Sequence, residues 1–174
     1  MNSARNLIAV AVMAGSLAAT AAWAETAPDD VKFEDGAVAM SVSGNAGDAK
    51  AGAGVFKNKK LGNCLACHAI TKVEEMAKTK PQIEVTDLNG GKSKMPLGTH
   101  GHIGPALDGV AERYTEGELR MMVVNPKKNF PDTMMPAFHK NDGFTTVHPD
   151  CKGLAILSAG QVEDVVAFLK TLKE

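Results

Sequence analysis

Aromatic side chains are scarce in this chain of 174 residues, with six Phe, one Tyr and one Trp. That is thin material for a core of this size, because aromatic rings supply the largest buried areas. Neither sign of charge is in excess. The 19 Lys and Arg stand against 20 Asp and Glu, a balance that argues against a nucleic-acid partner. Internal repeats are absent, and so is any apolar run long enough to act as a lasting membrane anchor. The Ala-rich uncharged stretch from Leu7 to Ala22 falls short of the ~20 residues needed to span a bilayer.

That stretch has another reading. One charge, Arg5, precedes it, and Ala22-Trp23-Ala24 closes it as a small-x-small cleavage site. Residues 1–24 are therefore expected to be a signal peptide for export to the periplasm. No twin arginine is present, so export should occur unfolded. Removal before Glu25 takes Arg5 and the only Trp, leaving 18 basic residues against 20 acids, a net charge of −2. The remaining 150 residues suit one domain: an arm at 25–47 and a folded part at 48–174.

Against these shortages stands one dense motif, Cys64-Leu65-Ala66-Cys67-His68. C-x-x-C-H is the pattern of c-type haem attachment. Two thiols can add across the porphyrin vinyl groups, and the adjacent His68 can reach the iron with its imidazole. A structural zinc site would need four ligands, and Cys151 is the only other cysteine. A thioredoxin-like dithiol would need a βαβ setting, and nothing strand-like precedes Cys64. One covalently bound haem c would also supply the large flat apolar body that the side chains lack.

Further along, the pattern is helical. Asp48 can cap a helix from Ala49 to about Lys59, with Gly52 and Phe56 on one face and Val55 beside them. Residues 71–101 are polar and poorly periodic and read as a long loop, carrying Met95 and His100, with His102 just beyond. His100 and His102 read as solvated more readily than as metal ligands. Thr115 and Glu118 form a capping box for a helix that stops before Pro126. Ser158 and Gln161 form a second box, opening a helix with Val162, Val165, Val166, Leu169 and Leu172 at helical spacing. Phe168 flanks that stripe and is the candidate to meet Gly52 and Phe56.

The order of these features resembles a class I cytochrome c: C-x-x-C-H, then Gly104-Pro105-Ala106-Leu107, a Met134-Met135-Pro136 loop and a terminal helix. The resemblance implies an all-α fold whose first and last helices cross, with His68 and Met135 as axial iron ligands. Met135 is preferred to Met134 because it directly precedes Pro136. Pro105 would hold the ring of His68 through its carbonyl. More narrowly, the fragments Gly62–His68, Ile103–Pro105, Asp132–Pro136 and Glu163–Leu169, with Asp30–Gly36 in the arm, are similar to the SoxX family. These are monohaem cytochrome subunits of SoxAX complexes in thiosulfate oxidation.

That resemblance implies a heterodimer with a SoxA-like cytochrome subunit and, through it, action on a SoxY-like carrier. It also implies a downstream cytochrome as electron acceptor. The complex would act as an L-cysteine S-thiosulfotransferase, with the bond-forming haem on the SoxA-like subunit. No catalytic residue is expected in the present chain. A free periplasmic electron shuttle is the alternative, and a haem enzyme or gas sensor with an open iron position is disfavoured by the Met-Pro loop. Cys151 is the odd thiol, expected to be buried more than paired between chains. Lys57, Lys59, Lys60, Lys127, Lys128 and Lys140 are expected to form a basic rim around the haem.

Overall fold

The computed structural model describes residues 25–70 and 103–174, together with the backbone of two strands at 82–86 and 92–96. The expected signal peptide, His100 and His102 lie outside the described residues. The helices are α1 (Ala49–Lys57), α2 (Val110–Arg113), α3 (Glu116–Val124) and α4 (Ala159–Leu169). Short 3-10 turns occur at Pro28–Asp30, Cys64–Ala66, Pro126–Lys128 and Pro149–Cys151. Among the described residues, no helix is long and apolar enough to cross a membrane.

The expected crossing of first and last helices is the centre of the fold. Asp48 caps α1 by accepting from the N–H groups of Lys50 and Ala51. The helix ends at Lys57, two residues early, because Asn58 turns the chain: its carbonyl accepts from Leu61 and Asn63. Gly52 faces α4 so closely that a Cβ there would lie 1.8 Å from the carbonyl oxygen of Asp164. Beside this contact the rings of Phe56 and Phe168 meet at 5.2 Å between centroids, tilted by 59°. Both capping boxes form as the residue types direct, Thr115 with Glu118 and Ser158 with Gln161. Val162, Val165, Val166, Leu169 and Leu172 are all buried.

The arm wraps its own domain. Val31, Val38 and Val42 are buried in the same core as α3 and α4. They are not strand residues: Met40, midway between two of them, is 71% exposed. The arm is tied down by polar contacts along its length. Glu25 accepts from the N–H of Ala159, Thr26 donates to the carbonyl of Val42, and Val38 donates to Gly117. His139 is buried next to the start of the arm, its Nδ1 at 2.9 Å from the Leu157 carbonyl.

The buried charges sit where arm and helices converge. Arg120 on α3 is 2% exposed and Glu163 on α4 is 3% exposed. Burial alone would lower the Arg120 guanidinium, but its bonds to Glu163 and Glu116 outweigh that and hold it above its ordinary value. Its Nη1 also donates to the carbonyl of Val38 at 2.9 Å.

Two expectations change. The segment read as a loop at 71–101 contains an antiparallel pair, β1 (Gln82–Thr86) and β2 (Lys92–Pro96), with Ile83 opposite Met95 and Val85 opposite Ser93. The all-α cytochrome fold holds around it, and this pair is an insertion between the haem motif and Gly104-Pro105. Cys151, expected to be buried, is exposed, because it sits in a surface 3-10 turn between Pro149 and Gly153.

Candidate haem site

Asn63 adopts a left-handed conformation, φ 48°, which Asn tolerates better than most residues. It turns the chain into the tight Cys64–Ala66 turn, where the N–H groups of Cys67 and His68 both point to the carbonyl of Cys64. The two thiols are half-buried and not joined to each other. Burial pushes the Cys64 thiol of the folded chain up to about 12.

The segment after the insertion returns to the motif. Gly104 donates to the carbonyl of Cys67 and Leu107 to that of Ala69. Gly104 has to be glycine: a Cβ there would lie 2.5 Å from Cε1 of the His68 ring. Next to it, Nδ1 of His68 lies 2.8 Å from the carbonyl oxygen of Pro105. That oxygen can only accept, so Nδ1 carries a proton, and of the two neutral tautomers the bond selects the one whose lone pair is on Nε2. A neutral imidazole with a free Nε2 and a braced ring is what an iron ligand requires.

The methionine loop starts from the Pro126–Lys128 turn and ends where Phe138 and His139 donate to Val123 and Val124 on the last turn of α3. Within it the two methionines separate. Met134 is 80% exposed, while Met135 is half-buried and packs against the core. The N–H of Met135 donates to the hydroxyl of Thr133, and Nζ of Lys127 donates to the Thr133 carbonyl at 2.6 Å.

The residues present fit a haem. Leu61, Leu65, Leu107, Met122 and Met135 each pack against the core and leave part of the side chain outside it. They lie in or beside the motif, the Gly-Pro segment, α3 and the Met loop. A flat apolar body held by two thioethers would cover them, and the sulfur and imidazole donors suit its iron. Among the described residues, no cluster of three or more His, Cys, Asp or Glu offers a competing metal site.

The lysine rim is only partly free. Lys57, Lys59 and Lys60 are exposed. Lys127 is engaged with Thr133, Lys128 lies over the ring of Phe33 at 5.1 Å, and Lys140 pairs with Asp142 at 2.9 Å. Sequence reasoning missed the Arg120–Glu163 pair and the contact of the arm with the Met loop. Neither leaves a local pattern.

The cytochrome c family model matches residues 49–173. With that match spread over α1, the C-x-x-C-H turn, the Met loop and α4, the chain belongs to the cytochrome c family and carries one covalently attached haem c. Among curated proteins, none matches the chain. Among solved structures it is similar to a chain of the crystal structure of SoxXA from P. pantotrophus, at 39% identity and a TM-score of 0.68. The match covers 87% of this chain and 100% of that one. Within its family the chain is thus a SoxX-like class I cytochrome c.

Proposed function

We propose that this chain is the electron-transfer subunit of a SoxAX-type complex. It is exported to the periplasm by a signal peptide at 1–24 and paired there with a SoxA-like cytochrome. Cys64 and Cys67 hold the haem through thioethers, and His68 and Met135 bind its iron. The observation that supports this reading most is the likeness to SoxXA over the whole length of the matched chain.

Bound in this site, the haem supplies a one-electron couple. The protein residues do the rest. Pro105 keeps the His68 proton on Nδ1, so the ring orientation and its basicity are set before the haem arrives. Thr133 and Lys127 hold the Met loop, and a loop already ordered spends little entropy on ligation. With His68 and Met135 both holding the iron, this chain would leave no open position on it. A sulfur substrate has no place to bind, so joining thiosulfate to a SoxY-like cysteine falls to the partner, and the released electrons pass to a downstream cytochrome.

A free periplasmic shuttle is the second reading, and one observation favours it. The arm packs Val31, Val38 and Val42 into the core of its own domain and needs no partner to order it. Co-expression with the SoxA-like subunit separates the two. The expected result is co-purification of the untagged chain and thiosulfate-dependent turnover of the pair, with the isolated chain redox-active but inert toward thiosulfate and carrier. A chain that never co-purifies, yet exchanges electrons freely with small cytochromes, makes it a shuttle.

A further inference from the structure

The loop that carries Met135 has little regular structure of its own. Its downstream end is pinned to α3 by Phe138 and His139. Its upstream end is a single 3-10 turn, Pro126–Lys128, and the side chains from Lys127 to Asp132 are exposed. The arm reaches this weak side. Glu34 and Ala37 exchange two backbone hydrogen bonds, 3.0 and 2.9 Å, across a two-residue turn of Asp35 and Gly36. Both turn residues have positive φ, 47° and 78°, as in the two-residue Asp-Gly turns favoured in hairpins. The turn is anchored behind by Phe33, which packs on the core, and ahead by Val38, which donates to Gly117.

Two contacts join this rigid turn to the loop. Nδ2 of Asn129 donates to the carbonyl of Gly36 at 3.0 Å, and Nζ of Lys128 lies over the ring of Phe33. The fit is close: a Cβ on Gly36 would lie 2.8 Å from Nδ2 of Asn129. We propose that the Phe33–Gly36 turn of the arm is a brace for the Met135 loop, and that Asn129 is the positioning residue through which it acts. The proposal rests on the reading of Met135 as an iron ligand. Its content is a coupling: the arm, remote in sequence from the haem motif, governs how often the sixth ligand swings away. A protein that takes hold of the arm thereby changes access to the iron.

The test uses the ferric, haem-loaded full chain and cyanide, whose entry requires Met135 to leave. Asn129→Ala and the isosteric Asn129→Asp, which lacks the donor, should speed cyanide binding about threefold to tenfold, the range that loss of one side-chain hydrogen bond allows. Their sulfur-to-iron charge-transfer band should be unchanged in the absence of cyanide. Gln161→Ala, which weakens the α4 cap without touching Asn129 or the Phe33–Gly36 turn, should leave the cyanide rate as it is. Rates in both Asn129 variants equal to the parent overturn the brace. So does an equal acceleration in Gln161→Ala, which would mark a general loosening. Met135→Ala, run alongside, should abolish the band. A band surviving there overturns the ligand reading itself, and a band lost there with unaffected Asn129 variants overturns the brace alone.

Discussion

Arg120 and Glu163, 43 residues apart, meet as a two-point ion pair, Nε to Oε1 at 2.8 Å and Nη2 to Oε2 at 3.0 Å. The same Oε1 accepts the backbone N–H of Val42 at 2.8 Å. One buried carboxylate thus ties α3, α4 and the arm together. Removing it leaves the buried Arg120 guanidinium with only the half-exposed Glu116 as a charged partner, so Glu163→Ala should cost about 3 kcal/mol in chemical denaturation. Replacing both residues, Arg120→Met with Glu163→Leu, should cost much less, because no charge is then stranded.

Glu116, at the edge of the same network, gives a pH dependence. A hydrogen bond from Lys170, and a weaker one from Arg120, hold its carboxyl below the ordinary 4.5, against the opposing pull of partial burial. A folded-state value below the unfolded one adds stability that is fully present above pH 4.5 and lost as pH falls through the folded value. Glu116→Gln should flatten the melting temperature across that acid window and change little at pH 7. The side chain is 45% exposed, so the contribution stays under about 1 kcal/mol.

Two glycines of α1 should respond in opposite directions. Gly52→Ala drives a methyl into the Asp164 carbonyl and forces the helices apart, at a cost of about 1–3 kcal/mol or more. Gly54 has nothing within 4 Å of its would-be Cβ. Gly54→Ala should therefore stabilise by about 0.5–1 kcal/mol through chain entropy alone. Thermal unfolding of the two variants side by side checks both signs.

Met135→Ala should remove the sulfur-to-iron charge-transfer band of the ferric protein, and Met134→Ala should leave it intact. The difference in burial already separates the two side chains. A band lost in Met134→Ala and kept in Met135→Ala reverses the assignment.

Cys151 is exposed and would be the only thiol left to react once Cys64 and Cys67 hold the haem as proposed. A maleimide should add once per native haem-loaded chain within minutes, and Cys151→Ser should take up none. Labelling that begins only on unfolding contradicts the exposed position.

The parts legible in the chain were those written in local patterns. Both capping boxes follow from residues three apart, and Gly52 and Phe56, one turn apart, mark the face that Phe168 meets, while the Pro105 carbonyl followed from the resemblance to class I cytochromes. Glu163 shows the limit. At the start of α4, beside Asp164, it looks like one more solvated acid favouring the helix dipole, and only Arg120, on another helix, draws it inside. The β1–β2 pair was unreadable for a related reason. Its strands are polar and short, and what defines it is a pairing register. Cys151 was misjudged because cysteine is usually buried, while the flanking His148, Pro149 and Asp150 make a surface turn.

The crossing of α1 with α4 has a consequence for the order of assembly. α1 and α4 are separated by roughly one hundred residues, and the C-x-x-C-H turn lies on the segment between them. Until α4 docks, Gly52 and Phe56 have no partner, and the thiols just downstream are not enclosed by the helix pair. In a chain exported unfolded, docking of α4 is thus the step that closes the haem motif. A chain cut short before Asp164 keeps its thiols accessible but never seals the helix pair beside them.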